Sequence, residues 1–190
     1  DNKNNLYLKK KVSNEFSIEK YILNKKNNGY SKAHNQAAKY VNTEYLLILN
    51  ADCLIDKISI QALVNTIEKY KNCGLVSPTT YDDKGNLTYN SGFFPERGIK
   101  DDPILIDGDI CVNTVLGSSM LISKKLFQKL DGFDENFFLY FSDDEICKRI
   151  NKTKLSVIQS FTSKAIHIHG ISKVGSIAKK IFLREFHYTF

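Results

Sequence analysis

The chain has 190 residues, 42% of them hydrophobic, with 27 Lys and Arg against 21 Asp and Glu for a formal net charge of +6. That length fits one domain with a real core, and no apolar run approaches the roughly eighteen residues of a membrane-spanning helix. The basic residues are scattered and no basic run is threaded with aromatics, which argues against a nucleic-acid partner and leaves diphosphates or anionic headgroups as charge-compatible ones.

The opening stretch to Asn28 is rich in Lys and Asn and predicts one short helix and a strand at Tyr21-Ile22-Leu23. Ser31 is the expected cap of a helix reaching about Val41, with Ala33, Ala37, Ala38 and Val41 on its apolar side. Tyr45 to Leu49 is apolar throughout, the pattern of a parallel strand covered on both faces. Ile58 to Tyr70 has helical spacing, with Leu63, Ile67 and Tyr70 on one stripe, and Gly74 to Thr80 reads as the next strand. Helix, strand, helix, strand is the order of a layered α/β sheet.

Asp82 to Asp109 is turn-rich, with Asp83-Lys84-Gly85-Asn86 and then Pro95, Gly98, Pro103 and Gly108, and predicts a hairpin followed by a long loop. Loops of that length tend to carry function. Val115 to Ser123 reads as a buried strand, Lys124 to Leu130 as a short helix and Ser142 to Asn151 as another helix. Ser156 to Ser160 and Ala165 to Ile168 read as two further strands. From Ser172 onward, Val174, Ile177, Ala178, Ile181, Phe182, Glu185 and Phe186 fall at helical spacing. Such a stripe is first a packing surface. With Lys173, Lys179, Lys180 and Arg184 beside it, its second reading is a peripheral membrane contact.

The four cysteines, Cys53, Cys73, Cys111 and Cys147, are widely spaced with no CxxC pair. Reduced thiols of a cytoplasmic protein are expected rather than a zinc site or a disulfide framework.

Ligands of open α/β sheets gather beyond the carboxyl ends of the strands. Asp52 stands there, just after an apolar strand and two residues past Asn50, and its oxygens suit Mg²⁺ or Mn²⁺ together with substrate phosphates. The alternative is that Asn50 and Asp52 merely form the turn. Ser142-Asp143-Asp144-Glu145 puts three acids into one helix start, where Ser142 and Glu145 match a capping box. A cap does not require Asp143, and Phe137 to Phe141 sets five bulky residues directly before it. A carboxylate ionised by a helix N-terminus yet shielded by an apolar wall suits deprotonation of a hydroxyl. His167 and His169 alternate onto one face of a strand end and could both ligate. Gly29 suggests a tight turn with N–H groups toward a phosphate, and Gly117 inside an apolar strand a close approach to its backbone.

Taken in order, six stretches resemble the family 2 glycosyltransferases of GT-A fold, especially their rhamnosyltransferase-like branch. They are Asn28-Gly29-Tyr30 with Asn35, Leu47 to Asp52, Leu116 to Ile122, Asp131 to Glu135, Phe137 to Arg149, and His167 to Ser172. The resemblance implies an α/β domain over residues 1–190 with a mixed, mostly parallel sheet flanked by helices and a C-terminal helix from about residue 173. Asp52 is then the last acid of the metal motif, holding Mg or Mn with His167, and Asp143 is the general base on the acceptor hydroxyl. Asp1, Asn28, Gly29 and Asn50 would join Asp52 on the donor, and Gly117, Ser118, Asp144, Glu145 and His169 would line the donor and acceptor pocket.

The implied reaction is an inverting transfer from a dTDP- or UDP-sugar, rhamnose favoured, to a glycan or lipid-linked acceptor of a bacterial surface polysaccharide. It would take place in the cytoplasm, at the inner face of the membrane. Ser142 stands where the family usually has Glu, and Glu145 where it usually has Asp. The family's first strand, helix and second strand are almost wholly absent before Asp1, so the chain is expected to be incomplete at that end. Two rivals stand beside this reading. A nucleotidyltransferase would need a Gly-rich triphosphate loop, which is not visible; a non-catalytic remnant would bind sugar nucleotide or a partner without turnover.

Overall fold

The computed structural model describes residues 6–15, 17–88, 91–92, 107–168, 180–181 and 184–185. In chain order the helices are α1 (Leu6–Glu15), α2 (Gly29–Ala38), α3 (Lys57–Lys69), α4 (Lys124–Lys129) and α5 (Ser142–Lys152). The strands are β1 (Tyr45–Leu49), β2 (Cys53–Ile55), β3 (Cys73–Tyr81), β4 (Ser91–Gly92), β5 (Ile110–Val112), β6 (Thr114–Val115), β7 (Ser119–Ser123) and β8 (Ser156–His167). Asp1, His169, most of the 82–109 loop beyond its first turn, and most of the expected C-terminal helix lie outside the described residues.

The main sheet runs β1-β7-β3-β8-β2, with β5 also paired to β8. It is mixed, as expected. It is not mostly parallel, however: among the described residues only β3 and β8 pair in parallel. Strands β2 and β5 pair antiparallel with β8, and β7 inserts antiparallel between β1 and β3. The Tyr45–Leu49 strand, expected to be parallel, thus pairs antiparallel. A separate ribbon joins β4 to β6.

Period-two alternation splits the core into two faces. Leu46, Ile48, Leu75, Met120, Ile122 and Val157 point to one side, where Phe127 of α4 and Ile146, Cys147 and Ile150 of α5 cover them. Val76, Leu121 and Ile158 point to the other, against Leu63 and Ile67 of α3. Each such side chain contributes roughly 1.5–3 kcal/mol when fully buried. The result is a sheet between two helical layers, with α3 capped at its start by the Asp56 carboxylate accepting from Ser59 N at 2.7 Å.

Several elements differ from the sequence reading. Tyr21-Ile22-Leu23 is irregular rather than a strand, and α2 begins at Gly29, before Ser31. The predicted strand from Val115 to Ser123 breaks at Leu116-Gly117-Ser118, because Gly117 N and Ser118 O bond to the Asp143 carboxylate and to Asn50 N instead of to a neighbouring strand. Ser156 to Ser160 and Ala165 to Ile168 merge into β8. There a bulge lets Pro78 face Ser160 while Thr79 faces Lys164. That long strand pairs end to end with β5 and then β2 along one edge, two short strands the sequence pattern did not reveal. The hairpin after β3 is present, closed by Tyr81 facing Leu87 and by Thr88 N donating to Thr80 O at 3.0 Å. The cysteines form no disulfide, and burial pushes the thiol of Cys53 up to about 11 and that of Cys73 to about 12.

Candidate active site

Antiparallel pairing of β1 with β7 sets Leu49 opposite Ser119, so the residues leaving β1 lie beside those entering β7. Asn50 N donates to Ser118 O at 2.9 Å. One residue earlier, Gly117 N donates to Asp143 Oδ2 at 2.6 Å, and Asp144 N donates to Asp143 Oδ1 at 3.1 Å. The stretch leading to Asp52 and the helix start bearing Asp143 therefore meet at one end of the sheet, joined through the 117–118 backbone.

Asp52 immediately precedes β2, whose first residue Cys53 pairs with His167 at the end of β8. The Asp52 carbonyl accepts from Ile168 N at 2.9 Å, which ties the start of β2 to the end of β8. Asp52 Oδ1 lies 3.3 Å from His167 Nε2, with the side chains 25% and 14% exposed. A hard carboxylate oxygen and an imidazole nitrogen at that spacing fit two ligands of one divalent cation. Among the described residues no group of three His, Cys, Asp or Glu gathers. Two protein ligands leave room on such a cation for substrate phosphate oxygens.

The acids of the α5 start go different ways. The capping box does not form: Phe141 holds the cap position at φ 60°, and the Ser142 hydroxyl pairs with that of Ser31 at 2.7 Å. Glu145 grips Arg149 with both oxygens at 2.6 Å. Arg149 in turn binds the carbonyls of Leu130 and Gly132, so Glu145 anchors the 130–132 turn. Asp144 is buried and accepts from the Thr114 hydroxyl. Asp143 is partly exposed at the junction with Gly117. The wall ahead of it is uneven, with Phe137 buried and Leu139 open to solvent.

Gly117 is approached as closely as its sequence position suggested. A Cβ there would meet the Tyr30 hydroxyl at 3.0 Å and Asp143 Oδ2 at 3.2 Å. Ser118 is almost fully enclosed, and its hydroxyl finds no hydrogen-bond partner among the described residues. Gly29 is used for packing. It sits at φ +78°, a Cβ there would lie 2.3 Å from Phe138 O, and its N–H donates to Asn27 Oδ1 at 2.9 Å rather than facing an open anion site. Asn28 precedes it as the cap of α2 without a side-chain cap bond.

Two residues with no role in the sequence reading join the site. The Tyr30 hydroxyl donates to Gly117 O at 2.7 Å. Burial, and then the negative charge of Asp143, push that phenol well above its ordinary value, so it remains a donor. Glu185 reaches the loop before α5 with its carboxylate. Its signal in the sequence is an acid on an otherwise apolar helical stripe. A cavity of about 620 Å³ lies apart from Asp52 and Asp143, lined among others by Asn35, Phe127, Phe133, Glu145 and Arg149.

The family profile described as "Glycosyl transferase family 2" matches residues 8–131. The low-salt glycan biosynthesis hexosyltransferase Agl10 of Haloferax volcanii is 31% identical over 158 residues, covering 77% of this chain and 51% of that protein. The O-antigen biosynthesis protein RfbC of Myxococcus xanthus is 27% identical over 157 residues, covering 76% of this chain and 12% of its own length. The chain thus spans about half or less of these relatives. Among solved structures, GalNAc-T7 with UDP, GalNAc and Mn²⁺ superposes with a TM-score of 0.69 at 15% identity, over 96% of this chain and 39% of that one.

Proposed function

The chain belongs to glycosyl transferase family 2 and has the GT-A fold, and we propose that it is an inverting, metal-dependent transferase moving a sugar from a nucleoside diphosphate to an acceptor hydroxyl. The observation that carries the proposal is the junction of the Asp52 turn and the Asp143 helix start through Asn50, Ser118 and Gly117. Family membership supports a transferase. The Mn²⁺ and UDP of the GalNAc-T7 structure support a cation and a sugar-nucleotide donor.

Asp52 and His167 would hold a Mg or Mn ion, which when bound neutralises charge on the departing diphosphate. Asp143 takes the proton of the acceptor hydroxyl as that oxygen attacks the anomeric carbon from the face opposite the diphosphate. Its two oxygens are already fixed by the N–H groups of Gly117 and Asp144, so the base is held before the acceptor arrives. The Tyr30 hydroxyl fixes Gly117 from the carbonyl side.

The donor class is a dTDP- or UDP-sugar, with rhamnose favoured by the likeness of the sequence stretches to the rhamnosyltransferase-like branch. A glycan or lipid-linked acceptor in surface-polysaccharide synthesis fits the glycan and O-antigen biosynthesis roles of the two relatives. Among the described residues no helix is long and apolar enough to cross a membrane. Work at the cytoplasmic face would then rest on peripheral contact, for which the basic residues of the C-terminal stretch, Lys180 and Arg184 among them, are suited.

The test is a donor screen on the full-length protein, measuring nucleoside diphosphate release with Mn²⁺ or Mg²⁺ and a panel of glycan acceptors. Release that needs both cation and acceptor, with inversion at the anomeric carbon, upholds the reading. Binding of sugar nucleotide without release from any donor would instead identify a non-catalytic relative.

A further inference from the structure

Glu185 is 1% exposed, within a stretch whose described residues, Lys180, Ile181, Arg184 and Glu185, are helical. A buried carboxylate requires partners. Here they are three successive backbone N–H groups: Phe138 donates to Oε1 at 2.6 Å, Tyr140 to Oε2 at 2.7 Å, and Leu139 to both oxygens at 3.3 Å. The Arg184 guanidinium adds a contact at 3.2 Å. Consecutive N–H groups curled around an anion form a nest, and hydrogen bonds to an ionised acceptor are about twice as strong as neutral ones.

The loop so gathered is bound to the site on both sides. The Phe138 carbonyl accepts from Tyr30 N at 2.5 Å and abuts Gly29, while the Tyr30 hydroxyl holds Gly117, whose N–H holds Asp143. At the other side of the loop, Phe141 turns left-handed at φ 60° and starts α5, two residues before Asp143. Resting on the transfer reading above, we infer that Glu185 is a positioning residue: its negative charge fixes the 138–140 backbone and thereby the orientation of the Asp143 carboxylate. Glu185 is then a working part of the site, although it is distant from the acids in sequence.

A residue that only anchored its own turn of chain would lower stability and leave the turnover of folded enzyme alone. The test is Glu185→Gln in the full-length protein, which preserves size and one acceptor oxygen but removes the charge. Its kcat should fall by about tenfold to a hundredfold, with the donor KM held within about twofold. Backbone amide exchange should quicken at 138–140 and at Asp144, whose N–H is bonded to Asp143. A lowered melting temperature with unchanged kcat overturns the inference. If the unmodified protein releases no nucleoside diphosphate from any donor, the transfer reading fails separately, and exchange alone decides: lost protection at Asp144 upholds positioning, and unchanged protection ends it.

Discussion

The N–H of Gly117 and the carboxylate of Asp143 meet at 2.6 Å across 26 residues of sequence. The contact favours a residue without a side chain at 117, because a Cβ there would lie 3.0 Å from the Tyr30 hydroxyl and 3.2 Å from Asp143 Oδ2, and both would have to give way slightly. It also takes Gly117 out of the strand ladder, and so aligns the acid with the exit of β1.

Asp143→Asn retains one oxygen for the Gly117 N–H but cannot accept a proton. Turnover should fall by about a thousandfold, while donor affinity by calorimetry stays near that of the unmodified protein. Normal transfer by this variant would remove Asp143 as the base.

Asp52→Asn and His167→Ala act on the other half of the site. Each should raise the Mn²⁺ concentration for half-maximal activity by about tenfold or more. The same loss should appear in Mn²⁺ binding followed by water proton relaxation, without any substrate. Unchanged Mn²⁺ binding in both variants would place the cation elsewhere.

Two glycines with the same backbone requirement should respond differently. At Gly29 a methyl group meets Phe138 O at 2.3 Å and φ is +78°, so Gly29→Ala should cost roughly 2–4 kcal/mol in denaturant unfolding. At Gly85, φ is +82° with open space around it, so Gly85→Ala should cost only about 1–2 kcal/mol. Equal costs would mean that the approach to Phe138 carries no weight.

Arg149 joins Glu145 to the carbonyls of Leu130 and Gly132. Arg149→Lys retains the charge but loses the planar fork, and should destabilise the fold by about 2–3 kcal/mol. Because Glu145 bonds to Arg149, not to Asp143, kcat of the folded fraction should remain within about twofold of the unmodified protein.

The His34 ring lies against that of Tyr30, tilted by 45° with centroids 4.2 Å apart, and its Nδ1 lies 2.9 Å from Tyr30 O. Burial holds the imidazole below its ordinary value, outweighing the opposing effect of that carbonyl. The folded state therefore binds the proton more weakly than the unfolded chain. The contribution to stability is complete above the ordinary value of about 6.5 and is lost as pH falls from there through the depressed folded value. Chemical denaturation at a series of pH values should show His34→Phe with a flatter slope between about pH 7 and pH 5 than the unmodified protein. An unchanged slope would show that His34 titrates alike in both states.

Much of the sheet was legible because burial of a strand's side chains leaves a mark in sequence. The apolar run Tyr45–Leu49, the Leu75-Val76 pair ahead of the small buried Ser77, Thr79 and Thr80, and the stripe of Leu63 and Ile67 gave β1, β3 and α3 within a residue or two. Short partners were not legible. Cys53–Ile55 and Ile110–Val112 are strands only because β8 offers them an edge. Three residues carry no periodicity of their own.

The identities of Asp52, Asp143 and His167 as candidates were also legible, since the order of residue types along the chain does not depend on how it folds. What each carboxylate does was decided in three dimensions. Ser142 and Glu145 read as a capping box, yet Ser31 and Arg149 claimed them, while Thr114 took Asp144. Glu185 looked like one position on an amphipathic stripe, and its role follows from a loop far from it in the chain. Local spacing records which face a residue occupies; a hydrogen bond between distant segments is settled only when the packed core brings a particular donor and acceptor within reach.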